Sequence, residues 1–134
     1  MHDAEIRSLL QKAKTIAIVG ASPKPWRDSN SIMQFLLSAG YTVFPVNPTY
    51  TEILGHQCVP SIREIRERVD IVDIFRRPDA VVPIVKDAIA MHAKTVWMQQ
   101  GVVNAEAAKL ARDAGLSVIM DRCIAVEYRS LVRS

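Results

Sequence analysis

An open five-stranded parallel sheet with helices on both faces is expected from three features of this chain. Short apolar, β-branched runs recur five times; amphipathic stretches with helical spacing stand between them; glycine, proline or asparagine punctuates nearly every change from one to the other. Strands separated by helices imply crossover connections and therefore a Rossmann-like α/β fold with a parallel sheet. The 134 residues fit one domain, with an N-terminal helix over 1–13, a core over 14–123 and a C-terminal tail over 124–134.

Each element has its own signal. Ile6, Leu9, Leu10 and Ala13 recur at helical spacing and predict a first helix over 3–13. Residues 15–20 form an apolar run closed by Gly20, the pattern of a strand covered on both faces. Ser29, Asn30 and Ser31 can cap a helix that turns Ile32, Phe35, Leu36 and Ala39 inward and stops at Gly40. Strand two spans 42–46; Pro45 within it has no N–H for a ladder, so local irregularity is expected. Residues 49–59 read as a surface excursion, 61–67 as a short helix and 69–75 as strand three. Pro78 and Pro83 make 78–82 a loose entry turn to a helix that is firm over 83–92. Strand four covers 95–98, Asn104 caps a helix over 105–114 that Gly115 closes, and strand five runs over 116–120. The expected strand order is 3-2-1-4-5, with ligands bound at the carboxyl ends of the strands, at the switch between strands one and four.

Composition narrows the function. Hydrophobic residues are 49% and charged residues 23%, ordinary for a globular domain. No apolar run approaches the ~20 residues of a membrane helix, and the start Met1-His2-Asp3-Ala4-Glu5 is too polar for a secretory signal, so a cytoplasmic protein without a membrane partner is expected. The formal charge of +3 is scattered, and 63–68 alternates in sign, which argues against nucleic acid and suits a small anionic ligand. Cys58 and Cys123 are far apart and form no CxxC pair; His56 and Cys58 sit two apart, but no second pair completes four ligands, so no metal site is expected.

Five segments fall at the strand ends. In the loop 20–29, Gly20 permits a tight turn, Ser22 and Ser29 offer hydroxyls, and Lys24 and Arg27 offer positive charge ahead of a helix N-terminus. It is neither GxGxxG nor a Walker A loop; Pro23 and Pro25 occupy positions where further glycines would stand. Trp26 either packs over the loop or touches the ligand. Asn47-Pro48 replaces the acid that grips a nicotinamide ribose, and Glu52 lies too far into the excursion, so NAD is disfavoured. Phe75 can face a base or a pantetheine arm while Arg76 or Arg77 forks onto phosphate. Gln99, Gln100 and Gly101 supply amides after strand four. Cys123, beside Arg122, is either a thiolate-prone residue or a small buried one. Asp70 and Asp73 are three apart on a strand and point to opposite faces, and no catalytic dyad emerges.

The ordered set of segments 18–22, 40–48, 75–78, 97–102 and 120–123 resembles the CoA-binding protein family that shares the CoA-binding domain of succinyl-CoA ligase α-subunits. The resemblance spans roughly residues 13–127. It implies coenzyme A laid across the strand ends, with Gly20, Ala21, Ser22 and Lys24 at the phosphate loop and Arg27 close by. It further implies Asn47, Pro48 and Tyr50 flanking the nucleotide, Phe75 and Arg76 contacting CoA after strand three, and Met98, Gln99 and Gly101 doing so after strand four. Tyr50 stands where the ligases carry a lysine, and the phosphorylated histidine of those ligases belongs to a second domain. The resemblance therefore implies a stand-alone CoA or acyl-CoA binding protein without catalytic residues of its own. The alternatives are the CoA-binding subunit of a multi-component acyl-CoA ligase, completed by a partner enzyme subunit, or an NAD-dependent oxidoreductase. A further option is a mixed disulfide between Cys123 and the CoA thiol.

Overall fold

The computed structural model describes residues 1–133; position 134, the last of the expected tail, lies outside the described residues. Five parallel strands form the sheet: β1 (Thr15–Val19), β2 (Thr42–Val46), β3 (Ile71–Ile74), β4 (Thr95–Met98) and β5 (Ser117–Ile119). Between and around them lie α1 (Asp3–Lys12), α2 (Asp28–Ser38), α3 (Val81–Ala90), α4 (Ala105–Asp113) and α5 (Ile124–Tyr128). A two-stranded antiparallel ribbon, Glu52–Ile53 with His56–Gln57, occupies the excursion after β2. Single 3₁₀ turns stand at Ile62–Glu64 and Pro78–Ala80, and a π turn at Arg129–Arg133 ends the described chain.

Strand periodicity divides the core in two. Ala17, Val19, Val72, Ile74, Val96 and Met98 face α3 and α4, whereas Ile16, Ile18, Ile71 and Trp97 face α1, α2 and α5. Both faces are covered, which is why β1, β3 and β4 read as continuous apolar runs. Asn104 caps α4 as expected, its Oδ1 accepting from the Ala107 N–H at 2.9 Å. Tyr128 closes the second face, with its ring edge-on to Phe35 at 5.6 Å and to Tyr41 at 5.9 Å. No helix among the described residues is long and apolar enough to cross a membrane.

The α/β class and the five parallel strands agree with the sequence; the strand order does not. The order is β2-β1-β3-β4-β5, so the third strand pairs with β1 (Ile16↔Ile71, Val19↔Ile74) instead of lying outside β2. Pro45 explains the difference. Its carbonyl points outward and accepts from the Val59 N–H at 3.2 Å, so its missing N–H also falls on the outer side of β2. A full strand pairing there would lack a donor, so β2 is an edge, joined on its outer side by a short parallel bridge from Val46 to Val59. The chain thus reverses direction across the sheet between β1 and β3, and the crevice at the switch point lies there, not between the first and fourth strands.

Candidate ligand-binding cleft

Gly20 builds the floor of this crevice. It follows β1 with φ +90°, and a Cβ there would sit 2.4 Å from the Phe75 carbonyl oxygen, so only glycine lets the loop cross the end of β3. The Gly20 and Ala21 N–H groups both donate to the Val46 carbonyl, at 3.0 and 3.2 Å. They fasten the loop to β2 and are not left open to an anion. The loop's carbonyls are held as well. Asn47 Nδ2 donates to the Ala21 carbonyl at 2.9 Å, and Asn30 Nδ2 donates to that of Ser22 at 2.9 Å. Each amide is itself positioned: Asn47 Oδ1 accepts from the Thr49 N–H at 2.8 Å, and Asn30 Oδ1 from Gln34 Nε2 at 2.8 Å. The first two strand-end loops are therefore one rigid unit.

Beyond Ser22 the chain makes a turn closed by the Arg27 N–H on the Lys24 carbonyl at 3.1 Å, while the Ser22 hydroxyl oxygen accepts from the Lys24 N–H at 3.1 Å. Arg27 is the N-cap of α2, and no side chain caps that helix. Arg27, Asp28 and Ser29 all border the crevice, so the positive end of the α2 dipole opens onto it. The crevice is a cleft of about 700 Å³ that also takes in the loops after β2 and β3. Its lining carries three cations, Lys24, Arg27 and Arg76, against one carboxylate, Asp28. Among the described residues none of the three cations is paired with a carboxylate. The choice between the adjacent arginines is thereby made: Arg76 lines the cleft, and Arg77 turns away to Asp79 at 3.5 Å.

A smaller cavity of about 320 Å³ adjoins the cleft and shares Asp28 and Phe75 with it. Gln99, Gln100, Cys123 and Arg129 line it. Gln99 is nearly buried, and its Oε1 accepts from the Ile124 N–H at 3.0 Å, which fixes the orientation of the amide.

Of the residues singled out from the sequence, Gly20, Ser22, Lys24, Arg27, Asn47, Pro48, Tyr50, Phe75 and Arg76 come together in the cleft, and Gln99 and Cys123 in the adjoining cavity. Three do not join either. Ala21 is fully buried beneath the loop. Met98 is fully buried on the α3/α4 side, because the last residue of β4 still obeys the strand's alternation. Gly101 has its N–H taken by Asp121 Oδ1 at 2.7 Å. Arg122 does not serve Cys123, since its guanidinium lies between Asp3 and Glu127 at 3.7 and 3.5 Å. Asp28, Thr49 and Pro60 also line the cleft without having been singled out. Asp28 was legible as the neighbour of a helix start, whereas Pro60 arrives only by the return of the excursion. Trp26 borders the cleft and is 75% exposed, so it does not pack over the loop.

Two buried acids or thiols stand apart from the site. Burial pushes the Cys58 thiol up, partly offset by a backbone hydrogen bond at Asn47. Asp73 lies in mid-strand between Ile18 and Trp97, fully buried with neither oxygen hydrogen-bonded among the described residues, and burial raises its carboxyl well above the usual range.

Comparison with known proteins gives the family. The model of a CoA binding domain matches residues 14–129. The chain is 42% identical over 125 residues to the uncharacterized protein YneT of Bacillus subtilis, covering 93% of each. It is 32% identical over 122 residues to an ADP-forming acetate–CoA ligase I of Archaeoglobus fulgidus, covering 83% of this chain but 18% of the ligase. A solved structure of a hypothetical protein from Pyrococcus horikoshii superimposes with a TM-score of 0.96 at 45% identity, covering 98% of this chain and 93% of that one. A strand–loop–helix cleft with unpaired cations and a domain match over nearly the whole length lead to one conclusion: the chain belongs to the CoA-binding domain family.

Proposed function

We propose that this chain is a stand-alone carrier of coenzyme A or an acyl-CoA, held across the carboxyl ends of the strands. The observation that carries the reading is the meeting of Lys24, Arg27 and Arg76, all without carboxylate partners among the described residues, at the uncapped start of α2. Charged groups left without partners at a cleft mark a site whose counter-ion is the ligand. CoA brings the phosphates these groups need, and its pantetheine arm suits the route past Phe75 toward Gln99. Ala21, Met98 and Gly101 have no direct part in this reading; they shape the loops from beneath. NAD fits less well, because Asn47 uses both ends of its amide on the protein and stands where an acid would grip the ribose. Calorimetry tests the reading: CoA binds with saturating heats, NAD does not, and an absence of CoA binding at millimolar concentration would remove it.

A second reading has its own support. The matched ligase carries its similar region as 18% of its length, so the chain can serve as the CoA-binding component of an acyl-CoA ligase completed by a partner subunit. Co-purification of a partner that confers nucleotide-dependent acyl-CoA turnover would establish it.

Cys123 lines the adjoining cavity, on the route toward Gln99 given to the pantetheine arm in this reading. Its thiolate can attack the disulfide of oxidised CoA, forming the protein–CoA disulfide and releasing one CoA thiolate. Cys58, 6% exposed and with its thiol pushed up, does not compete. Mass spectrometry after incubation with CoA disulfide should show one adduct, mapped to Cys123; an adduct on Cys58 or none at all speaks against this role.

A further inference from the structure

We infer that Trp26 is the stacking face of a nucleobase subsite, and that the cleft therefore takes ligands carrying a phosphorylated nucleoside. The inference rests on the CoA reading and extends it to a residue for which the family match offers no role. The chain has two tryptophans with opposite fates. Trp97 is fully buried in β4 and donates Nε1–H to the Arg122 carbonyl at 2.8 Å; Trp26 is 75% exposed. A large aromatic ring held in water buries little of its surface and contributes little to the fold, so its use lies with whatever covers it.

The ring is not on a loose arm. It occupies the third position of the Lys24–Arg27 turn, with Pro25 at the second, where the fixed φ of proline suits a turn closed between first and fourth residues. Ser22 tightens the same turn through the Lys24 N–H. Lys24 and Arg27 flank Trp26 in sequence, and the Lys24 ammonium lies 6.0 Å from the ring centroid, at the outer limit of a cation–π contact. The loop after β2 gives the other wall of the same cleft, with Pro48 and Tyr50 and no acidic side chain among its lining residues. A flat aromatic face beside the Lys24 ammonium, in a cleft that Arg27 also lines, with neither cation paired to a carboxylate among the described residues, matches a base whose ribose bears phosphates. Stacking on an exposed aromatic is a large share of the affinity for a base and needs no hydrogen-bond readout.

Fluorescence separates this inference from the reading beneath it. Trp97 is sealed from solvent, so ligand-dependent quenching reports Trp26. The chain is titrated with CoA, with adenosine 3′,5′-bisphosphate, which has the nucleotide without the arm, and with 4′-phosphopantetheine, which has the arm without the base. CoA and the bisphosphate should quench saturably and 4′-phosphopantetheine should not. Trp26→Ala should weaken CoA and the bisphosphate by about tenfold to a hundredfold, leave 4′-phosphopantetheine unchanged in calorimetry, and melt at the wild-type temperature; Trp26→Phe should recover most of the loss. If Trp26→Ala binds CoA as wild type does, the stacking role is wrong while CoA binding stands. If wild type binds the phosphopantetheine as tightly as CoA, the base subsite is wrong too. If wild type binds none of the three, the CoA reading itself fails.

Discussion

The two ends of the sheet hold cavities of similar scale, one lined by balanced charge and the other by an excess of cations. At the amino ends of the strands, a cavity of about 520 Å³ runs beneath α1, lined by Glu5, Lys12, Asp70 and Lys94 among others. Its central acid is satisfied. Burial pushes the Asp70 carboxyl up, but N–H donation from Lys14 at 2.7 Å and Thr15 at 3.3 Å, with the nearby Lys94 ammonium, more than offsets this and holds it below the usual range. At the carboxyl ends, Lys24, Arg27 and Arg76 have no such partners among the described residues. Cavity size does not tell the two ends apart. What distinguishes the carboxyl end is charge that the fold positions and leaves unneutralised.

The largest expected effect is on ligand affinity at the carboxyl end. Charge-assisted hydrogen bonds to phosphate contribute about 1.5–3 kcal/mol each, so Lys24→Ala with Arg27→Ala should weaken CoA by at least about a hundredfold. Raising salt from 50 to 500 mM should weaken wild type more than the double variant, because exposed charges are screened. Equal CoA affinity of the two proteins in calorimetry would show that the cleft charges are not phosphate ligands.

Next comes the turn that shapes the cleft. Gly20→Ala forces a side chain into φ +90° and within 2.4 Å of a backbone oxygen that cannot move without shifting β3. The left-handed conformation alone costs about 1–2 kcal/mol, and the clash adds to it. Chemical denaturation should show a loss of roughly 2–4 kcal/mol, with CoA affinity reduced as the loop shifts. A variant as stable as wild type would mean that the β1 and β3 ends are less tightly joined than the 2.8 Å bond from the Phe75 N–H to the Val19 carbonyl implies.

Much of this contrast was legible in the sequence. The strand runs, Gly20, Asn104 and the helix stops are local signals, and local chemistry decided them. The strand order is a long-range property, and its one local clue, the donor missing at Pro45, bears on which neighbour a strand can accept and not on whether a strand forms. Arg76 and Arg77 are indistinguishable by residue type; the backbone's direction after β3 separates them. Ala21 and Met98 were implied as ligand contacts by the resemblance; the fold buries Ala21 beneath the loop and Met98 by the alternation of β4.

Asp73, within β3, gives the same comparison with Asp70, which stands just before that strand. Its buried carboxyl is raised, so the folded chain holds a proton that the unfolded chain releases above about pH 4. Stability from this group is full below the unfolded value and is lost as pH climbs toward the raised folded one, by up to about 1.4 kcal/mol per pH unit. Asp73→Asn, uncharged at every pH, should therefore gain on wild type between pH 4.5 and 7.5. Denaturation curves that stay parallel over that range would show that Asp73 is not held protonated.

The smallest effect belongs at the amino end, where Lys94 pairs with Asp70 at 3.7 Å but is itself more than half exposed. An exposed ion pair contributes about 0–1 kcal/mol. Asp70 keeps its two backbone donors without the lysine, so Lys94→Ala should cost less than about 1 kcal/mol. That cost should shrink as pH falls through the lowered Asp70 value and the carboxylate is protonated. CoA affinity should be unchanged, since the pair lies at the other end of the strands. A Lys94→Ala variant that lost CoA binding as Lys24→Ala with Arg27→Ala does would erase the distinction between the two ends, because a cation already neutralised by the fold would then matter as much as one waiting for its ligand.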